Sequence, residues 1–283
     1  MARPATPNPN AELMLKAQAV KGRSLLADAR RRLFRNKAAV FSMIVLGVIT
    51  LMALFAPLLS PYAFSDQDYS IISCPPNWWP GTPPTCPNGA GGYHWFGTDA
   101  IGRDLFVRTL YGARVSLAVG IVATFVSLMI GVIYGAFAGF AGGRIDAAMM
   151  RLVDILYSLP FIFFVIILMV IFPQNFIILF VAIGAVSWLT MARIVRGQTL
   201  SAKQKEFVEA ARAAGVGTFG IIRRHIVPNV VGPVIVYVTL TIPGVILAES
   251  FLSFLGLGIR EPFTSWGVLI SDGAGQMETA PWA

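Results

Sequence analysis

The sequence predicts an all-α integral membrane protein, and three observations support this prediction. The chain has 283 residues, of which 56% are hydrophobic and only 13% are charged, which is too little charge to cover a soluble domain of this size. Its apolar residues form unbroken runs long enough to cross a bilayer as helices, and such runs exclude strands. Most of its Lys and Arg residues fall on one side of the membrane that these runs define.

Five apolar runs are long enough to span a bilayer. They cover residues 38–59, 116–140, 153–172, 176–192 and 230–252. The last residues, Ala280-Pro281-Trp282-Ala283, read like the beginning of another helix, so we expect a sixth span beyond Ala283; an external tail is the alternative. The chain then divides into a tail (1–37), a first span (38–59), a loop (60–112) and a core of further spans (113–283).

The distribution of positive charge predicts the orientation. Eighteen of the 22 Lys and Arg residues fall within 1–37, 139–151 and 193–224, and four within 60–114 and 259–283. Because positive loops stay in the cytoplasm, we expect the N-terminus inside and the loop 60–112 outside. The net charge of +8 is thereby explained without a nucleic-acid partner. No apolar stretch of a cleavable signal peptide precedes residue 38.

The N-terminal tail carries an amphipathic segment at residues 13–34. Its apolar and basic positions share a helix surface: Leu26, Leu33, Phe34, Arg30, Arg31, Arg32 and Arg35. From Leu25 onward we expect an interfacial helix on an anionic leaflet of the bilayer. Before Leu25, a solvated basic tail fits the sequence equally well.

The two cysteines of the chain, Cys74 and Cys86, lie in a Pro- and Gly-rich part of the loop. In an oxidising compartment a disulfide is the natural interpretation, and two free thiols are the alternative. We expect no metal site, because two cysteines and His94 give too few ligands at no familiar zinc spacing.

A polar, basic stretch at residues 193–228, here called the polar segment, separates the fourth and fifth runs. Helix propensity is high from Ser201 to Ala214, and Gly215 stands where a C-cap reverses the chain. Phe219 follows on a short helix, and Pro228 suits the first turn of the next span. We expect two helices at an angle, with small alanines on one face and an apolar tip that fits a partner's groove. An ordinary basic loop is the alternative.

Within the polar segment, Glu209-Ala210-Ala211 is followed by three residues and Gly215, and Pro228 comes thirteen residues later. This spacing resembles the EAA loop of ATP-binding-cassette (ABC) import permeases. His225 and Val227 depart from the general pattern but are similar to the peptide-permease branch. The resemblance implies a type I ABC importer permease fold and a coupling helix that sits in a cleft of an ATPase subunit. The residues it implicates in ATPase coupling are Glu209, Ala210, Ala211, Gly215, Phe219 and Pro228.

The likeness extends from about Ser24 to the end of the chain and is strongest to the C-type subunit of the oligopeptide permeases. It includes the stretches 96–104 and 249–258. It implies a multi-pass protein of the bacterial inner membrane that works with a second homologous permease, two ATP-binding subunits and an external peptide-binding protein. The chain contains no Gly-x-x-x-x-Gly-Lys-Ser/Thr loop, so ATP and magnesium are expected on the ATPases and no cofactor or catalytic residue on this chain.

Charged residues near the spans admit two interpretations each. Glu249, followed by Ser250, is a candidate for the translocation path, near a kink at Pro243-Gly244 that could open a cavity; the alternative pairs Glu249 with Arg103 or Arg114. Asp154 is expected to pair with Arg151 or to face the ATPases.

Asp104 and Arg108 have the spacing of a helical ion pair, and with Arg103 they either brace an external helix or form a docking surface for the binding protein. Aromatic side chains of the same loop suit a membrane-interface belt or such docking; they are Trp78, Trp79, Tyr93 and Trp95.

Two rival functions remain possible from the sequence. A self-sufficient ion-coupled transporter would use Asp154 and Glu249 as proton or cation sites, but such folds usually show internal repeats and the chain shows none. A membrane enzyme would need clustered catalytic residues, which the sequence lacks. The sequence does not determine which peptides are carried, because specificity in the resembled family resides largely in the binding protein.

Overall fold

The structure, a computed structural model, describes residues 25–76, 78–80, 86, 94–171 and 176–283. Within these residues every regular element is a helix, and a lone bridge between Thr98 and Asp104 is the one β-type pairing. The chain divides into two units, Met1–Leu51 and Met52–Ala283. The prediction of an all-α membrane protein is confirmed.

The first unit holds an amphipathic helix, α1 (Leu25–Arg35), and most of a long apolar helix, α2 (Lys37–Leu54). Asn36 separates them, and its side chain accepts a hydrogen bond from the Ala39 amide at 3.2 Å, which caps the start of α2. Leu33 and Phe34 are 42% and 64% exposed beside the exposed arginines of α1. The helix expected from Leu25 is therefore present, while its contact with lipid stays a prediction and residues 13–24 lie outside the described part.

The second unit begins within α2 and continues through a short helix, α3 (Ala56–Leu59), into the loop. The predicted first span, 38–59, is thus interrupted at Phe55, where the helical hydrogen bonding stops and α3 restarts with Pro57 in its first turn. A helical turn, Tyr69–Ile71, is the one further regular element described in the loop.

Three long helices of the second unit pack together as its core. These are α4 (Leu105–Ala141), α7 (Phe176–Ala202) and α10 (Val227–Phe254). Gly131, Gly135 and Gly139 repeat every fourth residue of α4, and a Cβ at any of them would overlap atoms of α7 between Met191 and Thr199. Small residues at this spacing let the two helix backbones approach closely, as in membrane helix pairs.

Shorter helices complete the second unit. They are α5 (Gly143–Ser158), α6 (Phe161–Ile171), α8 (Glu206–Ala213), α9 (Thr218–Ile221), a π-helical turn (Ile222–Ile226) and α11 (Trp266–Gly275). Among the described residues four helices are long and apolar enough to cross a membrane, and a fifth crossing results if the bent pair Gly143–Ser158 and Ile162–Leu168 counts as one span. The higher of these two counts matches the five predicted spans.

The third predicted span, 153–172, is wrong as a continuous helix. Helix α5 ends at Ser158, α6 begins at Phe161, and the two axes are bent by 86°. Leu159 between them is extended, with φ −75° and ψ 131°. The cause is Pro160, which lacks an N–H group and disfavours helical conformation in the residue before it.

Candidate functional site

The polar segment forms a helix, a tight turn and a second helical stretch that runs into α10. The continuous helix expected from Ser201 to Ala214 is interrupted, because α7 extends to Ala202, residues 203–205 turn, and α8 starts at Glu206. Lys205 is extended, with φ −86° and ψ 146°. The turn redirects α8 so that Val208 and Ala211 enter the core, and this packing overrides helix propensity.

Gly215 ends α8 in the reversal that the sequence predicts. Its φ is +76°, a left-handed value that glycine adopts without strain. Its amide donates to the Arg212 carbonyl at 2.9 Å, and the Val216 amide donates to the Ala211 carbonyl at 3.0 Å. These two hydrogen bonds make a Schellman motif, which fixes the direction in which the chain leaves α8.

The six residues predicted for ATPase coupling divide by exposure. Ala211 is buried, with 7% of its surface exposed, and packs in the core beside Val208. The other five are exposed: Glu209, Ala210, Gly215, Phe219 and Pro228. The Phe219 side chain is 76% exposed, a large apolar group that this chain leaves uncovered. The segment thus offers a mostly small or apolar face from a helix whose opposite side is held in the core.

Basic side chains tie the polar segment to the end of α4. The Lys203 ammonium donates to the Phe140 carbonyl at 2.9 Å, where helix carbonyls lack partners and favour a cation. The Arg212 guanidinium lies 5.2 Å from the centre of the Phe140 ring. Sequence reasoning missed these anchors, since Lys203 and Phe140 are 63 residues apart and no local spacing relates them.

Two ion pairs join α5 to α7. Arg196 donates two hydrogen bonds to the Asp146 carboxylate, both at 2.6 Å. Arg193 bonds Asp154 at 2.7 Å and lies over the Tyr157 ring. The expected pairing of Asp154 with Arg151 is therefore wrong, because the neighbouring helix α7 supplies the cation instead.

Glu249 is fully buried at a junction of α4, α10 and α11. Its carboxylate accepts hydrogen bonds from Ser116 at 3.2 Å and from Ser253 at 2.7 Å. The Ser116 oxygen also accepts from the Trp266 amide at 3.1 Å, which brings in α11. These bonds clamp three helices together through one side chain.

The expected pairing of Glu249 with Arg103 or Arg114 is wrong, because both arginines have other partners. Arg103 bonds Asp99 and Glu261, and Arg114 bonds the carbonyls of Ala53 and Leu54.

A cavity of about 660 Å³ lies between the α5–α6 break, α7 and α10. Gly244 is among the residues that line it, while the kink predicted at Pro243-Gly244 stays a prediction. Glu249 and Ser250 do not: Glu249 is sealed among hydroxyls, and the Ser250 backbone packs where Gly267 of α11 has no side chain. Glu249 and Ser250 therefore lie outside this cavity, and their place on the translocation path stays a prediction.

The loop holds a disulfide and a buried ionic cluster. The structure joins Cys74 and Cys86 in a disulfide with their Cα atoms 5.7 Å apart. Asp99 accepts from Arg103 Nε at 2.7 Å and also pairs with Arg108, while Arg103 reaches Glu261 at 2.8 Å. Burial raises the pKa of Asp99, but hydrogen bonds from Arg103 and Ile101 and the charge of Arg108 outweigh it and hold that pKa below its ordinary range.

Asp104 starts α4 and does not pair with Arg108. Its carboxylate accepts from the Val107 amide at 2.7 Å, an N-cap, and lies 2.6 Å from His94 Nδ1. Arg108 instead faces Asp99 and Asp272, so the predicted ion pair is wrong.

The three residues predicted for external docking are buried in this structure. Arg103, Asp104 and Arg108 are 6%, 3% and 0% exposed, and their role in docking stays a prediction. Of the loop aromatics, Trp78 and Trp95 are 65% and 61% exposed, and Tyr93 lies outside the described residues.

The long spans and the helix–turn–helix of the polar segment define a transport permease. The family model described as "Binding-protein-dependent transport system inner membrane component" matches residues 131–279, and the chain belongs to this family. A second model, for the N-terminal transmembrane domain of oligopeptide transport permease C, matches residues 24–76.

Named relatives agree with these matches. The chain is 55% identical to the oligopeptide transport system permease protein OppC of Haemophilus influenzae, with 93% of this chain and 81% of the relative covered. It is 45% identical to the dipeptide transport system permease protein DppC of Bacillus subtilis, with 96% and 82% covered. It is 36% identical to the OppC protein of Mycobacterium bovis, with 89% and 82% covered. The resemblance to the oligopeptide and dipeptide permeases is confirmed.

Proposed function

We propose that this chain is the transmembrane permease subunit of an ATP-driven peptide importer and that its polar segment couples it to ATPase subunits. The observation that carries the proposal is the exposed Phe219 on a segment that is otherwise anchored. Val208, Ala211 and Lys203 fix one side of the segment to the core and to α4. A rigid helix with an uncovered apolar group suits insertion into a partner's groove.

The remaining partners follow from the family and from the charge distribution. The N-terminus and the polar segment would face the cytoplasm of a bacterium, and the disulfide-bearing loop would lie outside the inner membrane. A second homologous permease would complete the path, and an external binding protein would deliver the peptide. ATP and magnesium would bind the ATPases, and this chain would perform no chemistry. Closure of the ATPases would move α8 and, through its anchors, the spans.

The ion-coupled alternative gains no support from the contacts of its two carboxylates. Asp154 is paired with Arg193, and Glu249 is closed in among Ser116 and Ser253. An ion site at either residue would first have to break these contacts.

Copurification tests the coupling. The assembled complex is purified through a tag on this chain, and the retained ATPase is quantified for Phe219→Ala and for Glu209→Lys. Loss of a buried aromatic anchor weakens a protein interface by about 2 kcal/mol or more, so we expect at least about a tenfold loss of retained ATPase.

The matched control for the copurification is Phe254→Ala. Phe254 ends α10 and is also exposed, at 49%, so its loss should change retention by less than about twofold, as for a residue outside the interface. If both polar-segment variants retain the ATPases and import peptide normally, the coupling assignment is wrong.

A further inference from the structure

The cavity between the α5–α6 break, α7 and α10 is lined by apolar and hydroxyl-bearing residues. Its volume of about 660 Å³ falls within the range of small-ligand sites. The residues that line it come from 156–160, 183–190 and 237–248, and none of them is charged. These described walls therefore provide no charged side chain that could hold a carboxylate or an ammonium group in an ion pair.

Six of the side chains that line the cavity carry hydroxyls, and three of these hydroxyls already donate a hydrogen bond to a carbonyl of their own helix. Ser158 donates to the Ile155 carbonyl at 2.7 Å, Ser187 to the Ile183 carbonyl at 2.9 Å, and Thr241 to the Tyr237 carbonyl at 2.9 Å. A hydroxyl has one proton and two lone pairs. Each of these side chains, bonded back to its own helix, is left as a hydrogen-bond acceptor.

The three back-bonded hydroxyls favour a ligand that brings hydrogen-bond donors. An N–H group finds a lone pair on each of them, whereas a carboxylate finds a donor only at the other hydroxyls of the walls. A peptide backbone supplies N–H groups at regular intervals whatever its side chains are. Tyr237 and Thr190, which also line the cavity, bring hydroxyls that can donate to the backbone carbonyls.

We propose that this cavity is a binding site on the translocation path for backbone N–H groups of the transported peptide, with Ser158, Ser187 and Thr241 as acceptors. This inference rests on the proposed function, since it takes the solute to be a peptide. It places recognition on the part that all peptides share, so the site tolerates different side chains. It also assigns the path to the Gly244 side of α10 and not to Glu249.

Thr239 provides a matched control on the same helix. Its hydroxyl donates to the Val236 carbonyl at 2.8 Å, so it has the same back-bonded chemistry as Thr241. It is exposed and is not part of the cavity lining. A substitution at 239 therefore reproduces the local change in the helix without altering the proposed site.

The first test measures uptake of radiolabelled trialanine by the complete transporter in vesicles. Losing one hydrogen-bond acceptor costs about 0.5 to 1.5 kcal/mol, so Thr241→Val and Ser187→Ala should each lower uptake per ATP hydrolysed by about two- to tenfold. Thr239→Val should leave it within about twofold. Retained ATPase is measured on the same preparations, because its loss would indicate a failure of coupling and not of the cavity.

The second test uses thiol labelling and does not depend on transport rate. Among the described residues both native cysteines are in the disulfide, so Thr241→Cys introduces a distinguishable thiol. We expect a small charged thiol reagent to modify it and trialanine to slow that reaction severalfold during turnover, with no such protection for Thr239→Cys. Equal uptake by the Thr241→Val, Ser187→Ala double variant and the parent, or labelling at 241 that trialanine leaves unchanged, would overturn the proposal.

Discussion

The loop stretch 94–104 and the part of the polar segment at 206–219 both lie between apolar helices and carry charge, yet the fold buries the charges of the first and leaves most groups of the second exposed. In the loop, Asp99 and Arg103 are 3% and 6% exposed and bond each other, and Arg108 at the start of α4 is fully buried against them. In the polar segment Glu209 is exposed with no ion pair among the described contacts, and Phe219 is 76% exposed.

This difference separates charges that hold the chain together from groups left for something outside it. Buried charges are tolerated where protein groups satisfy them, and Asp99 and Arg103 meet that condition within this one chain. Arg108 pairs with Asp99, but its Nε and Nη2 atoms are buried without a hydrogen-bond partner among the described residues. An exposed phenylalanine contributes little to the stability of the fold, so its presence on a well-anchored helix points to a contact with another molecule. The contrast predicts large effects on stability in the loop and large effects on partner binding in the polar segment.

The largest stability effect is expected for Asp99→Ala. The change leaves the guanidinium groups of Arg103 and Arg108 buried without their shared carboxylate, which costs about 3–5 kcal/mol of unfolding free energy. Thermal unfolding of the detergent-solubilised chain, followed by tryptophan fluorescence, measures the loss.

Glu209→Ala is the matched control for Asp99→Ala. It removes an exposed acid and should change the unfolding free energy by no more than about 0.5 kcal/mol. Comparable losses at both positions would show that the buried charges of the loop contribute no more to stability than the exposed charge of the polar segment.

The pH dependence of stability gives a second check on Asp99. Because its pKa is lowered in the folded chain, its contribution is present above the ordinary aspartate pKa and is lost as pH falls through the lowered value. Asp99→Ala should therefore flatten the acid side of the stability curve and leave the neutral side parallel to that of the parent. A variant whose acid side keeps the parent's slope would show that another carboxylate dominates there.

The sequence predicted the spans and the polar segment because their signals are local. Apolar runs of membrane length identify the helices, and Gly215 after an alanine-rich helix identifies the reversal. The break at Pro160 was equally local, since proline restricts the residue before it, but the strong apolar run on both sides obscured that signal.

The partners of the charged residues could not be predicted in the same way. Asp146 and Arg196 lie 50 residues apart, and Ser116 and Glu249 lie 133 apart. Their pairing depends on which helix faces pack together, and nearly uniform apolar helices carry little periodic information about their faces. Local spacing instead suggested Asp104 with Arg108 and Asp154 with Arg151, and in both cases a neighbouring element offered a better partner.

An intermediate effect is expected for Gly215→Ala. The φ of +76° costs an alanine about 1 kcal/mol, although its Cβ would meet no atom within 4 Å. Gly217→Ala is the matched control, because its surroundings are equally open but its φ is −66°; as an N-cap, where alanine is less favourable than glycine, it should lose no more than about 0.5 kcal/mol. Unfolding of the solubilised chain and retained ATPase in the complex are measured together. Equal losses for the two glycines would show that the Schellman turn does not determine the geometry of the polar segment.

The smallest effect is expected for the Asp146–Arg196 pair, whose exposure is intermediate between that of the loop cluster and that of Glu209 and Phe219. The Asp146 side chain is 10% exposed and that of Arg196 is 34% exposed, so solvent screening limits their interaction to about 0.5–1 kcal/mol. A double-mutant cycle with Asp146→Ala and Arg196→Ala measures this interaction free energy directly.

The exchanged pair, Asp146→Arg with Arg196→Asp, tests whether the ion pair transmits motion between α7 and α5 or only stabilises the contact locally. If the pair ties α5 to α7 so that the α5–α6 break moves with the polar segment, the exchange should recover most of the uptake per ATP lost in either single variant. Additive losses in the cycle, with no recovery on exchange, would show that the Asp146–Arg196 pair does not transmit motion between α7 and α5. The Arg193–Asp154 pair would then be the contact to test next by the same exchange.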